Sequence, residues 1–521
     1  MQWLIKRYNK ITETQWLVGL MIFSFALLLF GVTDRALWMD ERAVFWYLDM
    51  SPLGYLRHYF TVPDNHPPLF YLLTNIIYSI FSRGELGIRL VSILSGVGSG
   101  VLVYGIAKRL FSVSVARVSS LLFILSPYFL LISQMARYHA LAGLWSLLVL
   151  YGLSGLWKGI GHNVRNIAYV ALGMILVAWS DYPHLLYMIL LVNAWYIYAN
   201  WKKQPFVKTK MWLQMHFLWA LSVVPLLPLI WHRVVVQGDT RFFAQSAIGT
   251  NPIRYILRLL IHPYVYFFGE NTLPWQWWVF TPGVLVLLYV LYQIIQICRV
   301  KENAALKLLI SSTIGLIVLN VFTMSKLSPE YNFIVYPKYG YIAFPLFLIS
   351  IAAIALKEKN TRIKVAIVFI AFYVQILGTI SFYQGETYLN ASYFSTFAPY
   401  EFVEMNKQDG DRWLINGDMN TESFAYYAQT YFSDITPTGK DIRSENFEVQ
   451  LLPKGRYWAF FTGSDDQGDT QTTAEKIPEA FAVIDEFHSV PLDPILRQLK
   501  SRILGRESYT YKYSVYLLEK E

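Results

Sequence analysis

The sequence predicts an α-helical polytopic membrane protein with a small α/β domain outside the bilayer at its C-terminal end. Three observations carry this. Of 521 residues, 55% are hydrophobic and only 15% are charged, against roughly 25% charged residues in soluble proteins. Apolar runs of about twenty residues recur through the first three quarters, each long enough to cross about 30 Å of hydrocarbon. From about Tyr383 the runs shorten and Asp, Glu and Gly enter.

The expected spans, in order, are Trp16–Val32, Gly87–Ala107, Val115–Ser133, His139–Trp157, Asn166–Ser180, His184–Asn200, Met211–Trp231, Trp277–Ile297, Ala305–Met324, Tyr339–Leu356 and Ile363–Phe382. The first run is not followed by a small-residue cleavage site, so it reads as a span rather than a removed signal. "HPPLFYLLTNIIYSIF" (His66–Phe81) is ambiguous: it is short for a span and opens on two prolines.

Charge resolves the ambiguity. If His66–Phe81 does not cross, one side receives "KRYNK", "KRLFSVSVAR", "WKGIGHNVR", "NWKKQPFVKTK", "CRVKENAALK" and "KEKNTRIK", all the strongly basic short connections. The other receives the Asp40 loop, "SQMARY", "SDYPH", the long Trp231–Trp277 segment and "MSKLSPEYNFIVYPK". Basic loops stay on the cytoplasmic side, and a twelfth span would invert every loop after it. The expectation is therefore about 11 transmembrane helices plus a juxtamembrane helix in the outer interface. The N-terminus is then cytoplasmic and the C-terminal domain extracytoplasmic, in the cell (inner) membrane. The formal charge of +9 is accounted for largely by these loops and gives no reason to expect nucleic acid.

The domain boundary falls at residues 1–382 and 383–521. In the second part, which is within the usual size range of a domain, "DGDRWLINGD", "RYWAFFTGSD" and "SYTYKYSVYLLEK" read as strands between turn signals. "PYEFVEMNKQ" and "DPILRQLKSRILGR" read as helices. The lone Cys298 permits no intrachain disulfide and neither demands nor excludes an oxidising compartment. No Cys/His set has metal-ligand spacing, and there is no Walker loop or GxGxxG after a strand.

The unusual polar residues all fall on the outer side. Asp40 and Glu41 open "DERAVFWYLDM", which has apolar residues at helical spacing. A helix N-terminus alone accounts for one acid, and Glu41 suits that role. Asp40, between Trp38 and Trp46, is the candidate base, since partial desolvation raises carboxylate basicity. His66 precedes a double proline; Asp64 or Asn65 would cap that helix without it, which leaves His66 for a phosphate or for orienting Asp40. "SQMARYHAL" carries Gln134, Arg137, Tyr138 and His139, though a single Arg at a span end is often only an interfacial anchor. Asp181, Tyr182 and His184 sit in "SDYPH", where turn chemistry explains Asp and Pro. Lys338 and Tyr339 enter a span, and ionisable residues there are functional candidates. An anionic group held by Arg137 and Lys338 is a coherent expectation.

In order, "WMDERAVFW", "HPPLFYLL", "LGIRLVSILSGVGSGVLVYGIAKRLF", "SPYFLLISQMARYHALAGLWSLL" and "YPKYGYIAFPLFLI" resemble the GT-C glycosyltransferases of the protein O-mannosyltransferase and aminoarabinose transferase type, over roughly residues 10–385. The resemblance implies a GT-C fold with outer juxtamembrane helices, a polyprenyl-phosphate-linked sugar donor and inverting transfer at the outer face. It implies Asp40 as base, helped by Glu41 or His66. It puts Lys338 where many relatives carry Arg; Arg137 and Lys338 remain the residues expected at the donor phosphate. Tyr138, Tyr339, Asp181 and His184 are candidate substrate-binding residues, and aromatics of "NTLPWQWW" are candidate sugar-stacking walls. No metal or other cofactor is required, although a divalent cation is compatible with the chemistry. The expected partners are the lipid donor, a glycan, lipid or protein acceptor, and the bilayer. The C-terminal domain matches no known motif. Alternative readings are an O-antigen ligase or polysaccharide polymerase, and a lipid or sugar flippase; the latter predicts ionisable residues at mid-span.

Overall fold

The computed structural model describes residues 11–62, 66–81, 84–160, 163–202, 207–231, 252–299, 303–324, 336–385, 389, 395–416, 424–438, 441–442, 448–463, 477–504 and 507–521. The chain divides into two compact units. One comprises Met1–Phe30, Tyr47–Pro329 and Phe333–Tyr383; the other comprises Gly31–Trp46, Glu330–Asn332 and Gln384–Glu521.

The first unit is helical: α1 (Glu13–Leu29), α2 (Pro52–Thr61), α3 (Leu69–Phe81), α4 (Glu85–Leu110), α5 (Val113–Ile124), α6 (Pro127–Gln134), α7 (His139–Lys158), α8 (Asn163–Ala178), α9 (Tyr182–Trp201), α10 (Thr209–Val223), α11 (Pro252–Phe268), α12 (Trp277–Arg299), α13 (Ala304–Met324), α14 (Ala343–Lys357) and α15 (Thr361–Gln384). Local chemistry sets the ends. Thr12 and Gln15 form a capping box on α1, Ser112 caps α5, and α7 stops at Gly159 in the left-handed region (φ 62°), where glycine carries no Cβ penalty. Each of the eleven expected spans coincides with helix, but not all are long. Among the described residues, six helices are long and apolar enough to cross a bilayer: α4, α7, α10 with its continuation to Trp231, α12, α13 and α15. A seventh is the bent pair α5–α6, which turns by 61°. The bend sits where Ser126 accepts the Tyr128 N–H and Pro127 starts a new helix. α14 is shorter than expected because its entry, Tyr336–Gly340, is a 3₁₀ turn.

α3 has 13 residues, about 20 Å, too short to cross. It buries Phe70, Tyr71, Thr74 and Asn75, and Asn75 Nδ2 donates to the Tyr47 and Met50 carbonyls, each at 2.7 Å. α11 was not anticipated: it lies within the long connection expected to be a loop. Outward faces are apolar where lipid would lie, as at Leu285, Leu288 and Leu291 of α12, a surface that water would disfavour.

Two ends of the bundle are chemically different. Four of the basic connections, around Lys108–Arg117, Trp157–Arg165, Arg299–Lys307 and Lys357–Lys364, contribute residues to one cavity. At the other end of α7, about 30 Å away by helix rise, lie His139 and the Arg137 segment.

The second unit is a mixed five-stranded sheet, order β2-β1-β3-β5-β4, with β1 (Arg412–Trp413), β2 (Thr436–Pro437), β3 (Gly455–Thr462), β4 (Ala482–His488) and β5 (Tyr513–Lys520), and helices α16 (Ala398–Asn406), α17 (Phe424–Tyr431) and α18 (Pro494–Leu504). β1 is parallel to β2 and β3, whereas β5 is antiparallel to β3 and β4. Side chains alternate between faces: Trp458, Phe460, Val515 and Leu517 pack with Tyr400 and Tyr427, while Tyr457, Ala459, Phe461 and Leu518 pack with Phe481. Buried Asp411 is fully engaged, accepting from Trp458 Nε1 (2.8 Å), Arg456 Nε (2.9 Å) and the Gln408 N–H (3.0 Å).

The first-loop segment is part of this unit. Ala36 joins its core, the Leu37 N–H donates to Tyr427 Oη at 2.8 Å, and the Phe45 and Tyr426 rings stack at 3.7 Å.

Candidate functional site

Within the helical unit, Arg137 is the hub. It lies on the turn between α6 and α7 and is only 6% exposed, so it is not a snorkelling anchor. Its Nη1 donates to Tyr71 Oη at 3.1 Å and its Nη2 to His66 Nε2 at 3.3 Å. A guanidinium only donates, so a neutral His66 carries its proton on Nδ1. Ser92 Oγ of α4 donates to the Arg137 carbonyl at 3.1 Å. The guanidinium carbon is 5.0 Å from the Tyr138 ring centre, and His66 packs on Tyr138 at 4.4 Å. The turn bearing His66 is fixed by the Leu69 N–H, which donates to the Trp179 carbonyl at 2.9 Å.

The rings then run inward. Tyr138 contacts His139 at 4.4 Å, and His139 meets the Tyr339 edge at 5.4 Å. Lys338 Nζ lies 5.2 Å from the Tyr339 ring centre and the residue is 4% exposed. Lys338, Arg137, His184 and His66 all lie within electrostatic range of His139. Burial, ahead of the neighbouring charges, pushes the Tyr138 phenol well above its ordinary range, so it is a neutral donor at physiological pH.

Asp181 and His184 form a buried pair at the start of α9. Asp181 Oδ2 caps the helix by accepting the His184 N–H at 3.1 Å and also faces His184 Nδ1 at 2.5 Å. The carboxylate thus holds the ring with Nε2 directed away. Asp181 Oδ1, His184 Nε2 and both ring nitrogens of His139 are buried without a hydrogen-bond partner among the described residues. Buried polar atoms of this kind ordinarily have a hydrogen-bond partner, and here four of them fall within one cluster.

The Lys338 turn is supported from behind. Tyr266 Oη donates to the Gly340 carbonyl at 2.7 Å. His262 Nδ1 donates to the Arg258 carbonyl at 2.7 Å, which leaves Nε2 to accept from Asn320 Nδ2 at 2.7 Å. Tyr187 Oη donates to Asn320 Oδ1 at 3.1 Å. A Cβ on Gly340 would meet Asn320 Nδ2 and Tyr266 Oη at 2.9 Å each, so glycine is required by proximity.

The structure therefore brings His66, Arg137, Tyr138, Lys338 and Tyr339 together, with the Asp181–His184 pair acting electrostatically on the same rings. Asp40 and Glu41 belong to the other unit. Their stretch is a 3₁₀ helix, Met39–Val44, followed by one α turn, Phe45–Leu48. Glu41 is buried and accepts the Trp38 N–H at 3.1 Å, while its own N–H donates to the Trp38 carbonyl at 2.9 Å. Asp40 is half-buried. Gln134 is structural: its Nε2 donates to the Leu28 and Phe30 carbonyls at the end of α1. Asp64 and Asn65 lie outside the described residues. Sequence reasoning missed Tyr71, His262, Tyr187 and Asn320, which sit in apolar helices and carry no spacing signal. No group of three or more His, Cys, Asp or Glu residues suited to a metal occurs among the described residues.

This is a polytopic helical protein with spans suited to a membrane, whose fold is that of ArnT from Cupriavidus metallidurans. Residues 65–231 match the family model described as dolichyl-phosphate-mannose-protein mannosyltransferase. The chain is similar to the structure of ArnT from Cupriavidus metallidurans bound to undecaprenyl phosphate, with 12% identity, a TM-score of 0.56, and coverage of 97% of this chain and 98% of that one. It is also similar to the same protein in its apo state, with 11% identity, a TM-score of 0.54 and the same coverage. No curated protein matches in sequence.

Proposed function

We propose that this protein is a membrane glycosyltransferase that moves a sugar from a polyprenyl-phosphate donor to an acceptor at the outer face of the membrane, with inversion. One observation carries the reading: two cations, Arg137 and Lys338, are more than nine-tenths buried within a single cluster of histidines and tyrosines. Burying cations in apolar surroundings is costly, and a phosphate that gains charge as it leaves is a fitting counterpart. The residues of that cluster would then bind the donor. The buried atoms of His139, Asp181 and His184 that lack protein partners are suited to sugar hydroxyls, which both donate and accept. The bound ligand named for the Cupriavidus structure, undecaprenyl phosphate, has the chemistry of this donor.

Asp40 is the proposed base, taking the acceptor proton as the nucleophile attacks the anomeric carbon. Its assignment rests on its place in the sequence, beside Trp38 and Trp46 in the first outer loop. A second assignment has its own observation. His184 is oriented by Asp181 through Nδ1 with Nε2 left over, the arrangement of a carboxylate-oriented histidine base.

Purified protein in lipid, given a radiolabelled polyprenyl-phosphate sugar and a cell-envelope acceptor fraction, should transfer label. Facilitated movement of the intact donor across a vesicle membrane without transfer would instead support the flippase.

A further inference from the structure

A cavity of about 780 Å³ lies at the end of the helical unit opposite the Arg137 cluster. We propose that it is a second binding site, one for a phosphate-bearing anion, and that the headgroup of an anionic phospholipid is its occupant. Three lysines from three helix ends line it: Lys158 at the end of α7, Lys357 at the end of α14 and Lys364 in the first turn of α15. Among the described residues, no Asp or Glu lines it. Glu358, next in sequence to Lys357, is directed elsewhere, held by the Tyr289 hydroxyl and by the Asn360 N–H.

The site is built rather than incidental. Asn303 adopts a left-handed backbone (φ 73°), uncommon for a residue with a Cβ, and its Oδ1 accepts from Lys357 Nζ. That contact ties the Lys357 ammonium to the rim, where α13 begins. Ser112 and Ser114 add hydroxyl groups. The remaining wall is apolar, with Phe111, Trp157 and Leu306, which suits the glycerol and upper acyl segments of a lipid better than a small soluble phosphoester. Basic pockets between the ends of membrane helices recognise lipid headgroups by this combination. Basic loops that only set orientation do not need three ammonium groups around one cavity.

The experiment uses the full chain, purified and delipidated in neutral detergent, with binding read by native mass spectrometry and thermal stability. The probes are phosphatidylglycerol, phosphatidylcholine and glycerol 3-phosphate. Phosphatidylglycerol should bind the wild type on the order of a hundredfold more tightly than it binds the triple variant Lys158→Gln, Lys357→Gln, Lys364→Gln, at roughly fivefold per lysine. The double variant Lys158→Gln, Lys364→Gln keeps the Asn303 contact and should lose roughly twenty-five-fold, which guards against misfolding of the triple variant. The all-arginine triple variant should retain binding. Equal binding of phosphatidylglycerol to wild type and both Gln variants overturns the site, as does equal binding of phosphatidylcholine and phosphatidylglycerol to the wild type. Lysine-dependent binding of glycerol 3-phosphate as tight as that of phosphatidylglycerol upholds the phosphate site and overturns the lipid as its occupant.

Discussion

The hydroxyl of Tyr427 accepts the backbone N–H of Leu37 at 2.8 Å, across 390 positions of sequence. With Ala36 in the same core and Phe45 stacked on Tyr426, this makes the C-terminal unit the frame for the loop that bears Asp40. The unit that matched no motif in sequence thereby acquires a role: it fixes the backbone on both sides of the proposed base.

Tyr427→Phe should therefore slow transfer while leaving the unit folded. Loss of one buried hydrogen bond costs about 1 kcal/mol, and a displaced catalytic group costs roughly ten- to a hundredfold in turnover. The expected pattern is a lower kcat with donor KM unchanged and the far-ultraviolet circular dichroism preserved. Wild-type kcat in this variant would detach the C-terminal unit from catalysis.

Asp40 and Glu41 should separate on substitution. Asp40→Asn should reduce turnover by a factor of roughly 10² to 10⁴, the usual contribution of a general base, with expression intact. Glu41→Gln keeps an oxygen for the Trp38 N–H and should cost only about 1 kcal/mol of local stability. If His184→Gln rather than Asp40→Asn abolishes turnover, the base is the Asp181-oriented histidine.

Gly143 packs α7 against Tyr341: an added Cβ would lie 2.5 Å from the Tyr341 ring. Gly143→Ala should cost about 1–3 kcal/mol and, because Tyr341 follows the Lys338 turn, weaken donor binding as well. A thermal melt and a donor titration on the same preparation check both; an unchanged melting temperature would show that Tyr341 yields without strain.

Burial, and then the Glu486 charge, pushes the Tyr516 phenol up to about 12, against about 10 for an unfolded tyrosine. The folded value is the raised one, so this contribution to stability is complete below about pH 10 and is lost as pH rises towards 12. Near-ultraviolet circular dichroism should report alkaline loosening of the sheet in that window, and Tyr516→Phe should move its midpoint upward. A midpoint that does not move assigns the alkaline limit to another group.

Much of this was legible in the sequence because it rests on periodicity and charge. Hydrophobic runs located a helix for every expected span, and the basic connections around Lys158, Lys357 and Lys364 do share one end of the bundle. Lengths were less legible, since the bend at Ser126–Pro127 and the 3₁₀ turn before α14 depend on a few residues inside apolar runs. Arg137, Lys338 and His66 stood out as charge in an apolar setting. Tyr71, Asn320 and His262 did not, because an aromatic or amide in a membrane helix carries no signal until its partner from a distant helix is known. Helix α11 was hidden for the opposite reason, lying in the long stretch between two spans that was expected to be a connection. That Gly31–Trp46 belongs with the C-terminal sheet rests on Tyr427 and Tyr426, which local patterning does not reveal.

The central claim is that Arg137 and Lys338 hold the phosphate of a lipid-linked sugar donor. Its most direct test is the affinity of the purified protein for a polyprenyl-phosphate sugar, measured for wild type, Arg137→Ala and Lys338→Ala. Removing one charge-assisted contact to a buried phosphate should weaken binding by roughly tenfold or more in each variant, with the folded state retained. Unchanged donor affinity in both variants would contradict the account.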